Sequence, residues 1–342
     1  MTTSRSVLVT GGAGYIGAHT AKALHKAGIT PIVYDDLSNG HRAAVQWGPL
    51  VVGDVRDRDH LVEVMNDYAV SGVIHFAGLI EVGRSTADPA PFWDINVNGV
   101  AAVLWAMRET GVRRIVFSST AAVYGQPTGA VNERLSESAP TLPINPYGDG
   151  KLAGERMIAA HARAYGLEGV ALRYFNAAGA DEDGDLGEAH SCESHLIPLA
   201  IEAALGLGPA LTVFGSDFPT PDGACLRDYV HVSDLARAHC LALDLPLGRE
   251  PFLAINLGGG RGHSVFEVLA AVEQATGRPS PHQIGARRAG DPPALVADCC
   301  KAAERLGWHP HVVALSAIVA SAVAWRRAPR FGFRPQLAVV AS

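Results

Sequence analysis

Short apolar runs and longer amphipathic stretches alternate through the first half of the chain. Runs rich in β-branched residues fall at 6–10, 31–34, 50–53, 72–76, 114–118 and 169–173. Between them, apolar residues recurring every three or four positions predict helices over 15–27, 58–68, 93–109 and 147–165. Strands that alternate with helices pair in parallel, and this many helices must cover both faces of the sheet. The expected fold class is therefore α/β, a doubly wound parallel sheet.

After Asn176 the texture changes. Loops rich in Gly, Asp and Pro, such as AGADEDGDLGEAH and FGSDFPTPDGACLRDY, predict a second, smaller and less regular α+β domain. YVHVSDLARAHCLAL and FLAINLGGG read again as a helix and a strand able to rejoin the first sheet. The expected division is 1–177 for a dinucleotide-binding domain, with the chain returning to it near 229–260, then 178–330 for a substrate domain and 331–342 for a tail. A cleft between interleaved halves follows. Residues 312–325 are nearly all apolar, but this run is shorter than the roughly 20 residues of a membrane span, so a buried or interface helix is expected there. The stretch from Arg326 onward, RRAPRFGFRPQLAVVAS, carries no reading beyond possible disorder.

Composition narrows the function. In 342 residues with a net charge of −6, basic residues cluster no further than the pairs Arg113-Arg114, Arg287-Arg288 and Arg326-Arg327, so a nucleic-acid footprint is not supported. The N-terminal apolar run is short and has no cleavage pattern, which favours a cytoplasmic protein. Five cysteines without a C-x-x-C read as reduced structural thiols, and fourteen histidines without H-E-x-x-H predict no metal site.

The segment VLVTGGAGYIG places Gly11, Gly14 and Gly17 directly after a strand and at the start of a helix. Glycines permit a tight turn and a close backbone approach, and the helix N-terminus offers amides to a pyrophosphate, the signature of a Rossmann dinucleotide site. Asp35, at the end of the next strand, is placed to accept both ribose hydroxyls and to repel a 2′-phosphate, so the expected cofactor is NAD. Asp54 in GDVRD reads either as a partner of the adenine amine or as a helix cap ahead of Arg58. HFAG closes the fourth strand with Phe76, Ala77 and Gly78, where a cofactor can lie.

Tyr147 and Lys151 stand four residues apart behind Pro146, on one face of a predicted helix. A free phenol titrates near 10, and a neighbouring ammonium that lowers it by two or three units would make it a workable base. Thr120 lies just beyond a strand end, where its hydroxyl can share a substrate oxygen with Tyr147.

GGAGYIG, GDVRD, HFAG, SSTAAVYG and PYGDGK, in that order, resemble the extended short-chain dehydrogenase/reductase family. The resemblance implies tightly held NAD and the catalytic set Thr120, Tyr147 and Lys151. To the cofactor contacts it adds Tyr15, Ile16, Asn39, Val55, Asn96, Ser118 and Tyr174. One departure is Gly150, where relatives usually carry serine. RYFNAAGA, HLIPLAIEAALG, LTVFGSDFPTPDGACLRDYVHVSDLA and RRAGDPPALVAD are similar to members that act on UDP-sugars. That likeness implies diphosphate contacts from Asn176, His195 and Leu196, and a uracil site at Thr212, Val213 and Phe214. It also implies phosphate and ribose contacts from Arg227, Arg288 and Asp291, a further substrate contact from Tyr229, and a sugar-pocket border at Leu295. His195 stands where asparagine is familiar, so its contribution is expected to vary with pH.

The implied reaction inverts C4 of a UDP-hexose through a transient 4-keto sugar. UDP-N-acetylhexosamines and UDP-pentoses are alternative substrates, and a non-catalytic NAD-binding sensor is a more remote reading. Relatives that eliminate water carry Asp and Glu after the threonine, whereas this chain has Ala121 and Ala122. The apolar faces of 93–109 and the Tyr147 helix read either as a four-helix homodimer interface, which the resemblance implies, or as faces buried under the second domain.

Overall fold

The structure, a computed structural model, describes residues 5–127, 133–288 and 291–332. Seven parallel strands form the main sheet: β1 (Ser6–Thr10), β2 (Thr30–Asp35), β3 (Leu50–Val52), β4 (Val70–His75), β5 (Arg114–Thr120), β6 (Glu168–Tyr174) and β10 (Phe252–Leu257). Their order is β10-β6-β5-β4-β1-β2-β3. The chain therefore runs outward from β1 to β3, then restarts at β4 on the other side of β1. The loops leaving β1 and β4 diverge at this switch point, which opens a crevice at the carboxyl edge. FLAINL becomes β10 and returns to the sheet beside β6.

Alternation along each strand sorts the core into two faces. Leu8, Val73, Ile115, Phe117 and Ala171 pack under α2 (Arg58–Asp67), α5 (Gly99–Thr110) and α6 (Pro146–Tyr165). Val7, Val9, Ile74, Val116 and Val170 pack under α1 (Tyr15–Lys26), α8 (Val232–Leu243) and α10 (Cys300–Leu306). Each face is dry, as a sheet with no hydrophobic-polar alternation requires.

One helix departs from expectation. The predicted 93–109 segment is α4 (Ala90–Trp93), a π turn (Asp94–Asn98) and then α5, preceded by α3 (Val82–Ala87). The cause is Asn96, whose buried carboxamide accepts from Leu79 N at 2.8 Å and donates to Leu79 O at 3.0 Å. The extra residue in the π turn rotates Asn96 toward the loop after β4, a local cost that such turns incur at functional sites.

The remaining elements form a smaller unit. β7 (Asn176–Ala178), β9 (Leu226–His231), β11 (Gly262–Ser264) and β13 (Ala294–Leu295) make one sheet, and β8 (Leu211–Phe214) pairs with β12 (His282–Gly285). α7 (Leu196–Leu205), α9 (Val265–Thr276) and α11 (Leu315–Arg327) bury a common cluster. Most of the 312–325 run lies in α11 and is core: Ile318, Val319 and Val323 are buried there. Among the described residues no helix is long and apolar enough to cross a membrane. The stretch from Arg326, unread in the sequence, is partly structural, because buried Arg326 pairs with Glu202 at 2.6 Å and Phe331 packs on Trp325. Residues 333–342 lie outside the described chain.

Candidate active site

The glycine loop is fixed by what a side chain would strike. A Cβ on Gly11, whose φ is +70°, would lie 2.5 Å from Ala77 N, and one on Gly17 would lie 2.3 Å from Gly11 O. Gly14 caps α1 without a side-chain bond, and the first turn holds no acidic residue. The α1 amides are thus left to an external anion, favoured by the helix dipole. Asp35 is buried beside the loop, accepting from Ala13 N and Leu37 N, both at 2.9 Å. Burial pushes its carboxyl up and the two amides pull it back. Glycine cradle, open helix start and carboxylate together fit a dinucleotide with free ribose hydroxyls.

The other cofactor candidates divide. Ala13, Gly14, Tyr15 and Asn39 line one cavity at the loop. Phe76 N and Ala77 N both donate to Thr10 O at 2.8 and 3.1 Å, and Gly78 faces Asn96, with a Cβ there only 2.9 Å from Asn96 Oδ1. Ile16 packs on the α8 side of the sheet, and Val55 is buried against Gly99. Asp54 does not cap α2. Asp57 does, accepting from His60 N at 3.1 Å, while Asp54 accepts from Arg56 Nε at 2.9 Å, which holds its carboxyl low.

Thr120, Tyr147 and Lys151 converge at the end of β5. Thr120 Oγ1 accepts from Ala122 N at 3.1 Å, opening the 3₁₀ turn Ala121–Tyr124, and Tyr147 shares a hydrogen bond with the Thr120 hydroxyl. Asn145 Oδ1 caps α6 by accepting from Gly148 N at 2.9 Å, and Pro146 occupies its first turn, which sets Tyr147 and Lys151 on one face. Lys151 is buried, donates to Ser118 O at 2.9 Å and lies 5.9 Å from the Tyr147 ring centre. Ser118 Oγ in turn bonds Tyr174 Oη, whose titration burial pushes well up.

The phenol's titration differs from expectation. Burial pushes Tyr147 up to about 12, against the opposing Thr120 bond, and lowers Lys151 to about 8. The ammonium is turned toward Ser118 O, so the polypeptide alone does not produce the expected lowered phenol.

Gly150 is tolerant where its neighbours are not. A Cβ there would meet Asn96 Cβ at 3.6 Å, an ordinary contact, whereas on Gly154 it would lie 2.8 Å from Phe117 Cζ. Gly150→Ala is therefore expected to stabilise the protein by about 1 kcal/mol with turnover unchanged, and Gly154→Ala to lower the melting temperature. Thermal melts of both variants check this, and a lower Tm for Gly150→Ala would contradict it.

Three supporting groups escaped the sequence reading. Ser85 Oγ accepts from Tyr147 N at 3.3 Å, and buried His75 bonds Thr10 Oγ1 at 2.7 Å. Glu155 accepts from Ser119 Oγ at 2.5 Å and from Arg173 Nε at 2.8 Å. Only Glu155 left a local signal, one helical turn beyond Lys151 on the same face.

The substrate-side candidates fall into four groups. Arg227 donates to Pro292 O at 3.0 Å, lies 3.5 Å from Asp291 and stands opposite Leu295, which packs against the cluster of Ala121, Val123, Tyr124, Leu135 and Leu152. Arg288 stacks on Phe214 at 3.9 Å, on the strand that also carries Thr212 and buried Val213. Asn176 donates to Asp228 O at 2.8 Å and pairs in register with Tyr229. His195 and Leu196 form the fourth group: His195 precedes Leu196, the first residue of α7, and turns Nδ1 to buried Glu188. Burial opposes its charge, but Glu188 holds the imidazole above its ordinary range, so titration shifts to higher pH than a free histidine would show.

Residues 7–258 match the profile of the NAD dependent epimerase/dehydratase family. The chain is 48% identical over 320 residues to a UDP-glucose 4-epimerase of Rhizobium leguminosarum bv. trifolii, covering 94% of this chain and 97% of that protein. The crystal structure of a UDP-glucose 4-epimerase from Brucella ovis in complex with NAD superposes with a TM-score of 0.90 at 50% identity, covering 94% and 98% of the two chains. That of a UDP-glucose 4-epimerase from Bifidobacterium longum in complex with NAD+ and UDP gives 0.89 at 37% identity, covering 96% and 100%.

Proposed function

The chain belongs to the NAD dependent epimerase/dehydratase family, and from that premise we propose that it interconverts UDP-glucose and UDP-galactose by inverting C4 through a transient 4-keto sugar. The observation that carries the reading is the convergence of Thr120, Tyr147 and Lys151 at the end of β5, with Ala121 and Ala122 in place of acids. NAD, held by Gly11, Gly14, Gly17 and Asp35, would supply a reversible hydride acceptor for C4 and a positive charge that favours the phenolate.

Tyr147 as phenolate takes the proton of the 4-hydroxyl and gives it back on reduction. Thr120 donates to the same sugar oxygen and limits how far it can drift. Lys151 holds the phenol's side of the site electropositive. Arg227 and Arg288 suit the two charges of a diphosphate, since guanidinium forks bind such oxygens in pairs. Anchored only there, the keto sugar can present either face. With alanines at 121 and 122, no side chain at those positions can drive elimination across C5 and C6.

The test is direct: purified protein given UDP-glucose should form UDP-galactose, with a transient absorbance near 340 nm from enzyme-bound reduced cofactor. Absence of both signals would sink the reading. Leu295 leaves more room than a tyrosine would, so slow epimerisation of UDP-N-acetylglucosamine is expected, lost in Leu295→Tyr. Equal rates in the two proteins would remove Leu295 from the sugar pocket.

The same reading includes a cytoplasmic homodimer joined through α5 and α6. In its support, Leu104, Met107, His161 and Tyr165 line an open cavity between those helices, and Tyr165 is 54% exposed. Light scattering on a sizing column should give twice the chain mass.

A further inference from the structure

The loop AGADEDGDLGEAH is unused by the reaction, yet it is tied down as firmly as core. Residues 179–190 cross the start of α1 as a strap. At one end Tyr15 Oη donates to Gly179 O at 2.6 Å, and at the other His41 Nε2 bonds Ala189 O at 2.6 Å. Tyr15 belongs to the glycine loop, and His41 to the segment after Asp35. Gly14, Tyr15 and Asn39 share one cavity with Leu186, Ala189 and His190 of the strap. The strap therefore forms a wall of the space in which a dinucleotide would meet α1.

Its centre is closed by charge. Lys22, two turns along α1 from Tyr15, donates to Asp181 at 2.6 Å, Asp183 at 2.8 Å and Asp185 at 2.8 Å. A turn gathers the three carboxylates: Gly184 has φ +68°, and its N–H donates to Asp181 O at 3.0 Å. The side chains of Lys22 and Asp181 are only 6% and 7% exposed, so this pair is not a screened surface contact. Although burial opposes the charge, the three bonds raise the Lys22 titration, so the clasp stays ionised across the physiological range. Arg330 adds a further pair to Asp185.

We propose that Lys22 and Asp181 are positioning residues of a cofactor-retention clasp: they lock the strap over the glycine loop and slow the escape of NAD. The inference rests on the NAD-dependent reading above. A strap bonded at both ends and clamped between them must break several contacts together before the dinucleotide can leave. Retention is then a property of the strap as well as of the glycine loop, and an enzyme that regenerates its cofactor each turnover gains from it.

The experiment measures NAD dissociation from the holoenzyme, by dilution into excess labelled NAD and rapid filtration, for wild type, Lys22→Met, Asp181→Asn and Lys26→Ala. Lys26 is the control because, among the described residues, it pairs with exposed Asp183 alone. The expected result is dissociation at least about tenfold faster in Lys22→Met and Asp181→Asn, with kcat at saturating NAD within about twofold of wild type, and no change in Lys26→Ala. Lys22→Arg should restore slow release. Unchanged release from a folded Asp181→Asn protein would overturn the clasp while leaving the enzyme reading intact. Wild-type protein that binds no NAD would overturn both. If Lys22→Met does not fold, the Asp183→Asn/Asp185→Asn double variant, altered only at the more exposed side of the clasp, should still release NAD faster than wild type, and an unchanged rate there would also overturn the clasp.

Discussion

Tyr147→Phe is expected to lower kcat by about three orders of magnitude, while the KM for UDP-glucose and the bound NAD content stay near wild type. Positioned proton transfer contributes about 10² to 10⁴ in rate, and the phenol is the group placed to make it. Its hydroxyl bonds the Thr120 hydroxyl, and its backbone is held separately by Ser85, so the ring and α6 should remain in place. A variant that kept more than a tenth of wild-type kcat would remove Tyr147 from the proton step.

The pH profile supplies the sign. Burial drives Tyr147 up to about 12, and only nearby positive charge can bring the phenolate into the working range. Lys151→Met deletes one such charge, so the pH at which kcat rises should move upward. The same substitution should raise stability. The folded value of Lys151, about 8, lies below that of a free lysine, near 10.4, so the unfolded chain holds the proton more tightly. That penalty is full below pH 8 and gone above about 10.4. After allowing for the lost bond to Ser118 O, Lys151→Met should gain about 2 kcal/mol at neutral pH. A higher Tm with a higher-shifted rate profile would separate the lysine's catalytic work from its cost to folding.

Local patterns were legible. Strand-helix alternation, the glycine spacing and the Pro146 helix start all follow from contacts between near neighbours, and the six strands predicted in the first half lie within two residues of their observed bounds. What stayed hidden depends on partners far along the chain. Nothing beside Asn96 announces that it will bond Leu79 and force a π turn. AGADEDGDLGEAH reads as a solvated loop until Lys22, some 160 residues earlier, is brought against it. The phenol's titration was hidden for the same reason, because it is set by burial that the helix spacing cannot reveal. His195 is another case, since Glu188 becomes its partner only when the loop before α7 folds back. The sequence placed Asp54 beside the right helix, but the choice of cap fell to Asp57, whose geometry suited His60 N.

The second large effect is expected in stability. Glu155 and Arg173 are both buried, joined by Nε and Nη2 contacts of 2.8 and 2.6 Å, with Arg173 Nη1 donating to Tyr124 Oη at 3.0 Å. Glu155→Leu would leave the guanidinium in the core with a phenol as its only remaining partner in this network, and stranding one member of a buried pair costs about 3 to 5 kcal/mol. Glu155→Leu/Arg173→Met should recover most of that loss, since the pair's attraction is largely offset by its desolvation. Function should not recover with it. Ser119 is tied to Glu155 and precedes Thr120, while Tyr124 closes the turn that Thr120 opens and donates to Asn256 Oδ1 at 2.6 Å. With both charged groups gone, the backbone that aims the Thr120 hydroxyl loses its lateral ties, and kcat should stay about tenfold low in a protein that melts normally. Denaturant melts and kcat on the two variants decide it: a single variant within about 1 kcal/mol of wild type would mean that water reaches Arg173, and a double variant with full kcat would confine the pair to a structural role.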